Sequence, residues 1–139
     1  MIIHKEEFDV AARDFVCAGE ASGKIKRIIK KLGVDMNIVR RISIASYEAE
    51  INLVIHSLGG RMELLVGEGD IKIVVTDVGP GIPDIEMAMR EGYSTASDDV
   101  RMMGFGAGMG LSNMARNADD FQIESQVGAG TRVEMTFKL

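Results

Sequence analysis

Met103-Gly104-Phe105-Gly106-Ala107-Gly108-Met109-Gly110-Leu111, or MGFGAGMGL, sets four glycines at alternate positions, and the fold turns on what this run holds. Backbone N–H groups free of neighbouring side chains can close around an anion and pass it to a helix N-terminus. A helix is expected directly after the run, starting near Gly108 and continuing from Leu111 to Asn117. Spacing excludes two standard phosphate loops. A G-x-x-x-x-G-K-[S/T] loop needs a hydroxyl residue after Gly-Lys, but the one such pair, Gly23-Lys24, is followed by Ile25. In a G-x-G-x-x-G fingerprint opening at Gly104 or Gly106, the third glycine would be Met109 or Leu111.

The surrounding chain has the composition of a folded domain. Its 139 residues are 46% hydrophobic and 27% charged, enough for a core and too few for two substantial domains, so residues 1–139 are expected to form one. The formal net charge is −5, with both signs interspersed, which argues against a nucleic-acid partner. Cys17 is the single cysteine and cannot form an internal disulfide, and no apolar run marks a leader or a membrane span. The expected setting is cytoplasmic, away from membranes. Ten methionines against no tryptophan read mainly as flexible core filling.

Ile2 to Val10 supplies a first strand. Glu20 to Leu32 carries Ile25, Ile28, Ile29 and Leu32 at helical spacing and stops at Gly33. Asp35 is an N-cap for the longest element, which runs to Gly59-Gly60 with Ile38, Ile42, Ala45, Ala49 and Leu53 along its apolar side. A second, polar row on that helix is Glu48, Asn52 and His56; four-residue steps advance only about 40° around the axis, so the three share a face. Glu50 reads as a solvated helix residue and His56 as a packing or capping group. Met62–Val66 and Ile71–Thr76 form a hairpin whose loop, GEGD, offers two glycines for positive φ. A short helix is expected over Pro83–Arg90. The runs FQIESQV and TRVEMTF form a last strand pair joined at Gly128-Ala129-Gly130. Hairpin-linked strands with helices between them define an α+β two-layer sandwich, its sheet mixed but mostly antiparallel and its helices on one face.

Three features coincide in this order: the polar helical row, the turn Asp77-Val78-Gly79-Pro80-Gly81-Ile82 after a strand, and the glycine run before a helix. Together with Gly128-Ala129-Gly130-Thr131 they resemble the four nucleotide-binding boxes of the Bergerat-fold ATPases, the superfamily of DNA gyrase and the sensor histidine kinases. The small size and the C-terminal run resemble the anti-sigma-factor and switch serine kinases of bacterial partner-switching modules. The likeness covers nearly the whole chain and is strongest from Ile42 to Phe137.

That resemblance implies an ATP- and Mg²⁺-dependent kinase. Asn52 would ligate Mg²⁺, Glu48 would act as general base or orient the attacking hydroxyl, and Asp77 would accept the adenine amino hydrogen. Gly79, Gly81 and Ile82 would pass beneath the base, with Thr131 supporting Asp77 or contacting adenine through water. Gly104, Gly106, Gly108, Met109, Gly110 and Leu111 would form the lid and phosphate cradle. Arg101, the only cation between Arg90 and Arg116, is the candidate for a γ-phosphate contact. Met102 and Met103 stand where many of these kinases place a basic residue, and the long glycine run looks more like the switch kinases, which phosphorylate STAS-domain antagonists, than like the sigma-binding type. The implied partner is therefore a STAS-domain protein, with a sigma factor or other regulator as the alternative and a homodimer compatible with either. Two competing readings are a nucleotide-gated regulator-binding protein and a detached histidine-kinase ATP domain.

Overall fold

The chain builds one sheet and lays its helices across one side of it. A computed structural model describes residues 2–11, 16–56, 59–77, 89 and 110–139. Among these are strands β1 (Ile2–Val10), β2 (Gly60–Gly67), β3 (Asp70–Asp77), β4 (Asp120–Gln126) and β5 (Gly130–Lys138), and helices α1 (Glu20–Lys31), α2 (Met36–His56) and α3 (Gly110–Asn117). The sheet order is β1-β2-β3-β5-β4. Every pairing among the described residues is antiparallel, in line with the expected mostly antiparallel sheet. Two helices separate β1 from β2, so the chain crosses the sheet twice before pairing, and tight hairpins join β2 to β3 and β4 to β5.

Period-two alternation decides which face is covered. One row across the sheet runs Leu64, Ile73, Met135 and Phe121, and the first three are fully buried. The adjacent row, Glu63, Val74, Glu134 and Gln122, points the other way and belongs to a charged face where Lys72 approaches Glu134 and Lys5 approaches Glu63. Against the apolar face pack Ile25 and Ile29 of α1 and Val39, Ile42, Ala45, Ala49 and Leu53 of α2. Each large side chain buried there contributes about 1.5–3 kcal/mol.

The helix ends follow local chemistry. α1 stops where Gly33 takes φ +79, with Gly33 N–H donating to Lys30 O and Val34 N–H to Ile29 O, the paired closure of a left-handed C-terminal cap. Asp35 then caps α2 through its carboxylate, which accepts from Asn37 N–H at 3.0 Å. The β2–β3 hairpin departs from expectation, because neither of its glycines is left-handed. Gly67 is drawn into the ladder opposite Ile2, and Gly69 O accepts from Leu139 N–H. The expected helix over Pro83–Arg90 lies outside the described residues, apart from Met89.

Candidate functional site

Helices α2 and α3 pack antiparallel, and three levels of contact set their register. At the first, α3 opens on Gly110, where a Cβ would stand 3.0 Å from Asn52 Oδ1 and 3.2 Å from Nδ2, so the missing side chain lets the helix N-terminus sit on the Asn52 amide. One turn along, Asn113 Nδ2 donates to Glu48 Oε1 at 3.3 Å. At the far end Arg41 Nε donates to Asn117 O at 2.9 Å, and its guanidinium pairs with Asp119 at 2.9 Å. Glu48 and Asn52, a four-residue step apart on α2, thus face Asn113 and Gly110, three apart on α3. The polar row expected from the sequence meets the helix that follows the glycine run. Leu111, one residue into α3, is partly buried against the core.

A second cluster lies where β3 ends. Asp77 Oδ1 accepts from Thr131 N–H at 2.8 Å. Gly130 makes this approach possible: it holds φ +129, and a Cβ there would come within 2.3 Å of Asp77 O. Burial pushes the Asp77 carboxyl above its ordinary range, and the Thr131 N–H offsets part of that rise. Support of Asp77 by Thr131 is therefore made by the main chain, while the Thr131 hydroxyl lies 2.8 Å from Ser125 Oγ. Gly60 bridges the two clusters, since a Cβ on it would lie 2.8 Å from Leu53 Cδ2 and 3.0 Å from Asp77 Cα. The turn of α2 that carries Asn52 is thereby one glycine away from the end of β3.

Glu50 corrects its sequence reading. It is only 2% exposed, and its two carboxylate oxygens accept from Ala21 N–H at 3.1 Å and Ser22 N–H at 2.9 Å. Helix α1 begins after a left-handed Gly19 that offers no side-chain cap, so α2 supplies the anion its N-terminus lacks. A cavity of about 350 Å³ bounded by Phe8, Val10, Cys17, Ala21, Glu50 and Val54 lies beside this cap and touches neither Asn52 nor Asp77.

Of the other expected site residues, Gly79, Gly81, Ile82, Arg101, Gly104, Gly106, Gly108 and Met109 lie outside the described residues, as does the His56 side chain. Among the described residues no group of three or more His, Cys, Asp or Glu converges as a metal site. Asn52 presents a neutral amide oxygen, a donor that suits a hard cation taking its other ligands largely from phosphate and water. Sequence reasoning missed Asn113, which could have been found from its three-residue step after Gly110, and it placed Gly130 in a box without its packing against Asp77.

A helix layer on one antiparallel sheet, with a carboxylate–amide row on one helix and an anchored aspartate at a strand end, is the arrangement expected of a domain of the histidine kinase-, DNA gyrase B- and HSP90-like ATPase family. The model of that family matches residues 36–139, and the chain belongs to it. The serine/threonine-protein kinase RsbT of Bacillus subtilis (strain 168) is 31% identical over 113 residues, covering 78% of this chain and 79% of its own. The anti-sigma F factor of Clostridium novyi (strain NT) is 33% identical over 121 residues, covering 83% and 81%. That of Thermoanaerobacter sp. (strain X514) is 35% identical over 100 residues, covering 68% and 66%. Among the described residues no helix is long and apolar enough to cross a membrane.

Proposed function

We propose that residues 1–139 act as one cytoplasmic ATP- and Mg²⁺-dependent protein serine/threonine kinase that phosphorylates a STAS-domain antagonist in a partner-switching module. The observation that carries this reading is the meeting of Glu48 and Asn52 with the N-terminal end of α3, supported by similarity to a protein named as a serine/threonine kinase. A helix N-terminus favours phosphate oxygens, and Asn52 beside it supplies an amide oxygen for Mg²⁺. That ion would screen charge on the phosphates during transfer.

Glu48 accepts the proton of the substrate hydroxyl as its oxygen bonds to the γ-phosphorus and the bond to the ADP oxygen breaks. Asp77, stripped of part of its water, accepts a hydrogen from the adenine amino group, which guanine lacks at that position. Gly79, Gly81 and Ile82 line the base; Gly104, Gly106, Gly108 and Met109, continuing into Gly110 and Leu111, enclose the phosphates, and Arg101 contacts the γ-phosphate.

The test is transfer of label from γ-labelled ATP to candidate STAS-domain proteins in the presence of Mg²⁺. The reading expects one of them to be labelled on serine or threonine and Glu48→Ala to abolish labelling while ATP still binds. Nucleotide binding without labelling of any acceptor would overturn it. Similarity to anti-sigma F factors favours one second reading, a nucleotide-gated protein that sequesters a sigma factor, and under that reading Glu48→Ala leaves regulation intact.

A further inference from the structure

We propose that Asn113 is the positioning residue of the kinase reaction, holding Glu48 in the rotamer that receives the hydroxyl proton. The proposal rests on the kinase reading of Glu48. Asn113 makes two side-chain hydrogen bonds that point in opposite senses: Nδ2 donates to Glu48 Oε1 at 3.3 Å, and Oδ1 accepts from an Arg116 guanidinium nitrogen at 2.9 Å. A guanidinium has donors and no acceptor, so the end of the amide that faces Arg116 must be oxygen. The end that faces Glu48 must then be nitrogen. Arg116, one helical turn further along α3, therefore fixes the sense of the amide and makes Asn113 a donor toward the carboxylate.

The backbone around this amide is fixed as well. Asn113 O accepts from Asn117 Nδ2 at 2.8 Å, and Asn117 O in turn accepts from Arg41 of α2. A glutamate side chain has three rotatable bonds, and a half-buried one without a partner samples several rotamers. With Oε1 held by α3, Oε2 is the oxygen that takes the proton. Because Gly110 lies on Asn52 from the same eight-residue helix, α3 sets the position of the base and of the amide ligand together.

The experiment uses the full chain, γ-labelled ATP and the STAS-domain acceptor that the wild type labels. Asn113→Leu keeps the bulk and removes the donor; kcat should fall about tenfold, the worth of a hydrogen bond to a charged group, with KM for ATP within about twofold and an unchanged melting temperature. Arg116→Ala, which frees the amide to turn its oxygen toward Glu48, should lower kcat in the same direction by a smaller factor, and it keeps the proposal testable if Asn113→Leu does not fold. In the Glu48→Asp background, which keeps a carboxylate but withdraws it from the Asn113 amide, Asn113→Leu should add no further loss, whereas a merely structural role adds its full effect there. Wild-type kcat in both Asn113→Leu and Arg116→Ala, or additive losses in the double variant, would overturn the inference while leaving the kinase reading in place. Full activity of Glu48→Ala would instead overturn the kinase reading of Glu48 itself.

Discussion

Glu48 and Glu50 are two residues apart on one helix and serve opposite ends. Glu48 is half-buried and faces α3, whereas Glu50 is buried and caps α1. Removing Glu50 strands two consecutive buried amide donors, so Glu50→Ala should cost about 2–4 kcal/mol of stability. Glu48→Ala, whose loss leaves only the Asn113 amide to be rehydrated, should cost less than about 1 kcal/mol. Urea unfolding of the two variants checks this contrast, and equal losses would refute it. The place of Glu48 on a polar row was legible because Asn52 stands four residues on and the pair is read from one helix. That of Glu50 was not, because its partners lie 28 and 29 residues away in sequence and periodicity carries no information about contacts at that range. The same limit hid Asn113, whose acceptor is 65 residues distant.

At the scale of elements, the described strands and helices fall close to where period and capping put them, since alternation and N-cap chemistry are local signals. The exceptions are glycines. Gly67 and Gly69 look like turn formers, yet the left-handed positions among the described residues are Gly19, Gly33, Gly59, Gly128 and Gly130; pairing with β1 claimed Gly67 for the ladder. Gly128 and Gly130 both hold positive φ, but a Cβ on Gly128 meets nothing within 4 Å, whereas one on Gly130 strikes the Asp77 carbonyl. Gly128→Ala should therefore cost about 1 kcal/mol from backbone strain alone. Gly130→Ala should cost about 2–4 kcal/mol, because strain and clash add. It should also weaken ATP binding, since the strand start that holds Asp77 must shift. Thermal melts with and without ATP distinguish the two, and indistinguishable variants would count against the account of the Asp77 corner.

For the molecule as a whole, helix layer and sheet are fastened at Asp119. Its carboxylate accepts from Lys138 N–H at 2.7 Å on β5 and pairs with Arg41 of α2. The Lys138 N–H first, and the Arg41 guanidinium second, hold its carboxyl below the usual carboxylate range. A depressed folded-state pKa gives stability that is fully present above the unfolded value and is lost as pH falls through the folded one. Asp119→Ala should thus be less stable than wild type by about 1 kcal/mol at neutral pH, solvent screening keeping the figure small. The gap should narrow in melts run at progressively lower pH, below the ordinary carboxylate range; a gap independent of pH would show that the charge is not the cause. The two-layer class and the mostly antiparallel sheet were legible from hairpins and helices, but the strand order was not, since it depends on how the chain crosses between pairings. One consequence follows from the three-level seat of α3 on α2, at Asn52, Glu48 and Arg41. On the α3 side, the described contacts of that seat come from Gly110, Asn113 and Asn117, spaced along one helix. Glu48 and Asn52 are thus met by a single eight-residue element, so any slide of α3 along α2 would change both contacts in step rather than one at a time.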